Sequence, residues 1–560
     1  MTRRPFFSIS LALPSALVFC ACIPAGDGVA PPDYVSYFPV GLAVDPTDKW
    51  LYVVNSDFDL QFSQGTLQSL DVQRILEIAR HPCATDADCD VSAFGEAQRC
   101  DTEESDVNDD NPSFLCVDVA GKYAGLPCGP LPENTPAARA VSPGRCGPVD
   151  LGKPVDGRGS LQVDSVSISA FATDLLLVPR PVLEGGAEVP SKTQARLFLP
   201  VRGDSSLHFV DVEAGKLDCG QTNDEPECSD NYRVLQSVTS DPNVYLKTPV
   251  EPFGLASTAD GRSLVMTHQT TGRASGFRND WSTQSDGTAT PPRLVSIRDG
   301  MPTNPVGVAS VPRPAYVDLA DDTLNYQSGF LVTFRTDASV HLLRFFEPGL
   351  GAGGASAAPD QPLLFDVGRS LITANSVGSD SRGIAIDDST RKAAENACGG
   401  EVDCLRKAAS VPLDVYVANR TPNSLLIGRT DRTDAPVATS DLPTFHNNIP
   451  LTAGPSRVVI GYVIGHDGEP ALRVFVLCFD SALIYVYDPT RRGLEPQVIY
   501  TGRGPHSLAF MSRDSKAPYA FVGHFTDSYV AVISLDQRYP ETFGATLAIL
   551  GTPTPPRASR

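Results

Sequence analysis

The sequence predicts an all-β protein, a seven-bladed β-propeller carrying a disulfide-rich inserted module. Three observations predict it. Short apolar runs recur in sets, the clearest of them introduced by Pro and broken by an Asp-containing turn. The usage of 46 Gly and 48 Pro in 560 residues suits many brief strands and few helices. A third sign is the length of the repeat, since units of about 40 to 50 residues holding roughly four strands each are what propeller blades look like in sequence.

The clearest sets are FPVGLAVDPTDKWLYVVNSDFDLQFSQGTLQSLDV (38–72), EPFGLASTADGRSLVMTHQTTG (251–272) and GPHSLAFMSRDSKAPYAFVGHFTDSYVAVISLD (504–536). Each holds an L-A pair, a turn, and a second apolar run that stops on a polar residue: Asn55, His268 or His524. Weaker copies lie at 313–344, 381–429 and 454–488, with a degenerate seventh around ARLFLPVRGDSSLHFVDV (195–212). Unit starts are read near Pro39, Pro252, Pro314, Arg382, Pro455 and Pro505, and the long first interval holds two units plus the insertion. One four-stranded sheet cannot bury both its faces alone. Alternating residues such as Leu51 and Val53, or Tyr519 and Phe521, are therefore expected to meet a neighbouring blade. Outer strands are expected at RILEIAR (74–80), PQVIYTG (496–502) and ATLAILG (545–551), the last finishing its own blade.

These residues resemble the YVTN-type β-propeller repeat family, in which P-x-x-L-A is followed by D-G-K-x-L-Y-V-A-N and V-x-V-I-D. DKWLYVVN (48–55), DVYVAN (414–419) and VAVISLD (530–536) carry the likeness. It implies the propeller fold; motifs of this kind specify fold well and function poorly.

The first residues give a cellular address. MTRRPFFSISLALPSALVFCAC has a basic start, an apolar stretch too short to span a bilayer, and small residues with cysteines, the pattern of a signal peptide. Its end resembles a bacterial lipobox with Cys22 as the lipidated residue, and Ile23 beside it resembles the outer-membrane sorting pattern. TRRPFF also resembles a twin-arginine export signal. The expected organisation is signal peptide 1–22, linker 23–37, first blade 38–80, cysteine-rich insertion 81–160, remaining blades 161–551 and tail 552–560. An outer-membrane lipoprotein in the cell envelope, facing periplasm or cell surface, is expected, with the membrane engaged through the lipid alone; ordinary secretion of the processed chain is the alternative.

Thirteen cysteines less the two in the leader leave eleven, and ten of these fall in local groups: Cys83, Cys89, Cys100, Cys116, Cys128 and Cys146; Cys219 with Cys228; Cys398 with Cys404. In an exported chain such even grouping reads as disulfides. Cys478 is left over, in an apolar run that marks it as a buried thiol. No C-x-x-C pair supports zinc. The insertion CATDADC (83–89) resembles segments of exported myxobacterial-type proteins, where they accompany adhesion or surface architecture.

Charge excludes one partner class. A formal net charge of −21 with no Lys/Arg cluster rules against nucleic acid. The G-x-G-x-x-G string at Gly349, Gly351 and Gly354 follows Pro348 and opens no helix, so it reads as a loop between strands. Asp106, Asn108 and Asp110 open like a calcium loop but lack its Gly and Glu, and read as a solvated acidic loop. No G-x-S-x-G, H-E-x-x-H or C-x-x-C-H is present.

What remains is geometric. In a propeller the loop entering an innermost strand and the loop leaving the second strand emerge on one face, near the central channel. His506 and His524 sit at those places in one blade, with Asn55, Arg202, His268, Arg335, Arg382 and Asn419 placed on the same face by register. The candidate ligand-binding set is Asn55, His268, Arg335, Asn419, His506 and His524, a polar ring suited to a small anionic ligand. The same strand-end positions also serve to satisfy loose backbone groups. No cofactor and no metal is expected, and the leading expectation is a monomeric binding or scaffold module rather than an enzyme, with an unknown protein or a small anion as partner. The alternative is catalytic: YVTN-like propellers are similar to lactone hydrolases and to haem- or metal-dependent oxidoreductases. His268, His506, His524 and Arg335 would then supply proton transfer or oxyanion stabilisation.

Overall fold

Alternation of apolar residues on both faces of a strand demands a partner sheet on each side, and the chain meets that demand by closing a ring. A computed structural model describes residues 28–79, 99–101, 115–117, 148–154, 159–184, 187–222, 226–238, 245–282, 290–319, 327–346, 363–372, 380–430, 440–491, 493–513, 515, 518–540 and 542–554. Among them seven sheets of four or five strands, antiparallel but for one short parallel edge pair in the seventh, follow one another along the chain. Their innermost strands begin at Pro39, Leu176, Pro252, Pro305, Ser381, Pro455 and Pro505.

Seven apolar clusters fill the seven seams between them. In the first sheet Tyr52 and Val54 pack with Leu197 and Leu199 of the second, whereas Leu51 and Val53, on the opposite face, pack with Tyr519 and Phe521 of the seventh. The same alternation joins Phe198 to Met266, Val265 to Val332, Leu331 to Val417, Tyr416 to Val476, and Phe475 to Val522. Each strand therefore feeds two cores, and the last sheet packs on the first. The fold is a β-propeller.

Small residues let the inner strands crowd the axis. A side chain at Gly254 would place Cβ 2.1 Å from the Val306 carbonyl oxygen, and one at Gly307 would place it 2.6 Å from that of Arg382. Both distances are shorter than any real contact, so these two positions accept glycine because the next sheet's backbone is already there.

Three sequence expectations are corrected. The outer strand expected at 74–80 is not formed by its described residues: Val72–Ile78 is a helix whose buried residues Val72, Ile75, Leu76 and Ile78 lie at helical spacing, and the Asp71 carboxylate accepts from the Arg74 N–H as its N-cap. The first sheet takes its fourth strand from Gln162–Ile168, pairing with Gly65–Asp71, so 38–80 does not contain a whole blade and the insertion lies inside the first one. The fourth unit starts at Pro305–Ser310 rather than near Pro314, where Ala315–Leu319 is helical. Gln497–Tyr500 and Thr546–Leu550 are fourth strands as expected, and 195–212 supplies the paired second and third strands of the second sheet.

Disulfides join Cys219 to Cys228 and Cys398 to Cys404, and Cys478 is a buried free thiol. Strands Arg99–Asp101 and Leu115–Val117 pair with Cys100 opposite Cys116. The leader with Cys22, the cysteines at 83, 89, 128 and 146, the acidic loop at 106–110 and the glycine string at 349–354 lie outside the described residues. Among the described residues no helix is long and apolar enough to cross a membrane.

Candidate functional site

The central channel opens into one cavity of about 330 Å³, and a recurring backbone irregularity decides which side chains reach it. Pairing of the innermost with the second strand slips just after its first residue in six sheets: between Pro39 and Gly41, Pro252 and Leu255, Pro305 and Val308, Ser381 and Gly383, Pro455 and Arg457, Pro505 and Ser507. Such bulges re-aim a side chain out of the sheet. The residues inside them, Val40, Phe253, Val306, Arg382, Ser456 and His506, all line the cavity. A second ring comes from the residue that follows each second strand's last inward pair: Ser56, Arg202, Gln269, Arg335, Arg420, Phe479 and Phe525.

Arg335 and His506 thus face the cavity, together with Arg202 and Arg382. Asn55, His268, Asn419 and His524 do not. Each stands one position before a lining residue, and because strand side chains alternate, each points back into the sheet. Asn55 accepts from the Tyr37 N–H at 3.0 Å and donates to Thr66 Oγ1 and Gln68 Oε1 at 2.9 and 3.0 Å. Asn419 accepts from Ser381 Oγ at 2.9 Å and donates to the Pro422 carbonyl at 2.8 Å. The His268 ring lies 2.7 Å from Ser275 Oγ and 3.2 Å from the Val250 carbonyl. In His524, Nε2 accepts from the Gly502 N–H at 3.0 Å, which fixes the neutral tautomer, and the ring stacks on Tyr529 at 4.3 Å. All four are buried groups satisfying strand ends.

The cavity wall has two chemistries. One arc is cationic: Arg202, Arg335, Arg382, Arg420 and Arg457. Arg202 pairs with Glu251, Arg420 with Asp480, and Arg457 with Asp174. Arg335 and Arg382 share one carboxylate, Asp380, whose Oδ1 accepts from Arg335 Nε at 3.2 Å and Arg382 Nε at 2.9 Å, while Oδ2 accepts from Arg382 Nη2 at 2.8 Å. Burial alone raises the Asp380 carboxyl's pKa, but bonds from Arg382 and the charges of Arg382, Arg335 and Arg420 hold it below the usual range. The other arc is aromatic. Phe58 meets Phe171 at 5.9 Å and Phe525 at 5.3 Å, and Phe479 and His506 continue the row, His506 standing 5.7 Å from Phe525 and 6.2 Å from Phe479. Burial, then the Arg457 charge, push the His506 imidazole down to about 3, so it is neutral at pH 7.

Sequence reasoning missed Arg420, Arg457 and every phenylalanine of the site. Three lining residues carry a positional signal: Phe253 follows a unit's opening Pro252, and Arg420 and Phe525 follow Asn419 and His524, polar residues that end a second run. Among the described residues no group of three or more His, Cys, Asp or Glu side chains is placed to hold a metal.

Neither protein-family models nor curated proteins give a match to this sequence. Solved structures do. The Pseudomonas aeruginosa periplasmic gluconolactonase is 12% identical, with 83% of this chain and 86% of that chain covered and a TM-score of 0.40. Saccharomyces cerevisiae Sqt1 is 6% identical, covering 90% and 98%, with a TM-score of 0.41. The Dos1 propeller is 10% identical, covering 94% and 88%, with a TM-score of 0.39. At such identity none of them bears on activity.

Proposed function

We infer that the protein is a binding module of the bacterial cell envelope whose central cavity takes a small anionic ligand. The observation that carries this reading is the arginine arc: five guanidinium groups converge on one cavity in a chain of formal net charge −21. An acidic protein gains nothing in solubility from gathering its cations around a concavity, whereas an anion gains charge-assisted, forked hydrogen bonds there. The site stands on bulges and strand ends of a rigid ring, so it is held in place before a ligand arrives.

The address belongs to the same proposal. A leader ending at Cys22 resembles a lipobox, and the described disulfides fit export, so the chain is read as an outer-membrane lipoprotein of YVTN-like propeller type. The cysteine-rich insertion would then offer a further contact surface to a protein partner.

One observation favours a catalytic reading as the second. His506 is a neutral imidazole at the cavity wall near cationic Arg382 and Arg457, an arrangement in which the ring could hydrogen-bond a substrate while a guanidinium stabilises an oxyanion. The test of both is one set of measurements. Thermal shift of the purified chain against small anions is expected to show stabilisation that disappears in Arg335→Ala/Arg382→Ala. Equal stabilisation of that variant, with unchanged circular dichroism, would overturn the binding site. Hydrolysis of sugar or simple lactones that is lost in His506→Gln would replace binding by catalysis.

A further inference from the structure

The charge on the cavity wall can be counted, and the count narrows the ligand. Five arginines face or flank the cavity and four carboxylates pair with them, Glu251, Asp380, Asp480 and Asp174, so five minus four leaves one positive charge. That excess sits where Arg335 and Arg382 share Asp380. Arg382 holds the carboxylate with two bonds, and Arg335 touches it through Nε alone at 3.2 Å. Among the described residues Arg335 has no other ion-pair partner, and it lines the cavity.

Another part of the wall, made by Phe58, Phe171, Phe479 and Phe525, is aromatic. Phe58 is 49% exposed although it touches three other rings, Phe38, Phe171 and Phe525. An exposed aromatic edge held in a fixed cluster at a cavity mouth is a stacking surface without its partner. A volume of about 330 Å³ lies at the low end of the range of about 300–1,000 Å³ that small-molecule sites span, which admits a compact ring compound and not a polymer.

We propose that the cavity binds an aromatic monocarboxylate, its ring stacked among Phe58, Phe479 and Phe525 and its carboxylate forked on Arg335 beside Arg382. This rests on the anion-binding reading above and deepens it. A single negative charge neutralises the excess, while a phosphate monoester, carrying about −1.5 to −2 at pH 7, would bring uncompensated charge into a partly desolvated site. The carboxylate geometry is already rehearsed by Asp380, which the same two guanidiniums grip. The ring supplies the apolar area that a bare acid such as acetate lacks, and aromatic pairs add about 0.5–1.5 kcal/mol beyond burial.

The test is competitive calorimetry on the mature chain with its disulfides intact, using benzoate, phenylacetate, acetate and phenyl phosphate at pH 8. The proposal expects benzoate or phenylacetate to bind at least tenfold more tightly than acetate and more tightly than phenyl phosphate. Phe58→Ala is expected to erase most of the advantage of the ring acids and leave acetate unchanged. Arg335→Gln is expected to weaken every carboxylate at least tenfold, and Arg335→Lys, which keeps the charge and loses the fork, to recover only part. Equal affinity for acetate and the ring acids would overturn the aromatic class and leave anion binding standing. Tighter phenyl phosphate would overturn the charge count. Absence of binding for all four, in a chain that melts normally, would overturn this proposal together with the reading it rests on.

Discussion

Arg457, on the inner strand of the sixth sheet, is ion-paired with Asp174, which leads into the second sheet. In a ring of seven those sheets lie on opposite sides of the channel, so this pair spans the opening that the other ion pairs of the cavity only border. Both side chains are largely buried, at 28% and 14% exposure, which places the pair between surface bridges of about 0–1 kcal/mol and buried pairs whose disruption costs about 3–5 kcal/mol. Asp174→Asn is expected to cost about 1–3 kcal/mol, because it strands Arg457 near Arg382 and the His506 ring. A double-mutant cycle with Arg457→Met, read by urea unfolding, checks it: the double variant should lose less than the sum of the singles, and strict additivity would show that the residues do not interact.

Buried histidines give the protein an acid limb. His268 is pushed down to about 4 and His524 to about 3, burial being the first cause in each. The unfolded chain takes up protons below about pH 6.5, while these two folded sites refuse them until about 4 or 3. Their contribution is therefore full above pH 6.5 and declines as the solution is acidified through that window. Unfolding midpoints in urea should fall between pH 7 and pH 4, and His524→Gln should flatten the slope while lowering stability at pH 7. A slope unchanged in that variant would mean the ring is not held neutral.

Asp57 works with the opposite sign. It is buried at the start of the loop that carries Phe58; Oδ1 accepts from the Phe62 N–H at 3.1 Å, and Oδ2 has no hydrogen-bond partner among the described residues. Burial pushes its pKa up to about 7. Here the folded state holds the proton more firmly than the unfolded one, so stability from this group is present at about pH 4 and is lost as pH rises towards 7. Asp57→Asn should raise the melting temperature at pH 8 and change it little at pH 4.5. A variant destabilised equally at both values would show that the carboxylate is ionised throughout.

Cys478 is expected to be inert in the folded chain. It is fully buried in a strand, and burial pushes its thiol up to about 12 despite Ser481 and Thr452 nearby. Under native conditions iodoacetamide should leave it unlabelled for hours, and denaturation should expose it, with Cys219–Cys228 and Cys398–Cys404 recovered as linked peptides. Rapid native labelling would show that the sixth sheet opens.

The ring was legible in the sequence because its physics is periodic. Leu51 and Val53 alternate with Tyr52 and Val54, both sets apolar, and only a sheet packed on two sides needs that. Where periodicity is short, it misleads: VQRILEI offers too few residues to separate period 2 from period 3.6, and the Asp71 cap that settles it is one side chain. PVGVAS at 305–310 lacks the Leu-Ala pair and so hid the fourth unit's start. The site was half legible. Arg335 and His506 line the cavity as read, but a bulge after the first residue of an inner strand decides which neighbour faces the channel, and that slip leaves no mark in composition.

Closure of the ring supplies the last prediction. Within the described residues every sheet is built from strands consecutive in the chain, apart from the excursion in the first sheet and short added strands at the edges, so no terminal strand is exchanged to lock first to last. The lock comes from the excursion itself. Before entering Gln162–Ile168 of the first sheet, the chain pairs Pro148–Val149 in parallel with Ile549 and Leu550 of the seventh. Val149, Leu151 and Leu161 are buried there beside Leu547, Leu550 and the helix Val72–Ile78. One short segment thus bridges both sides of the seam. Leu151→Ala should cost about 2–5 kcal/mol, as other buried Leu truncations do. Its distinguishing effect is local: amide exchange should accelerate in Thr546–Leu550 and Pro39–Val44 and not in the inner strands of the third to fifth sheets, whereas Leu331→Ala, at the seam of the fourth and fifth sheets, should leave the first seam protected. Uniform acceleration around the ring in Leu151→Ala would show that the segment covers the seam without holding it.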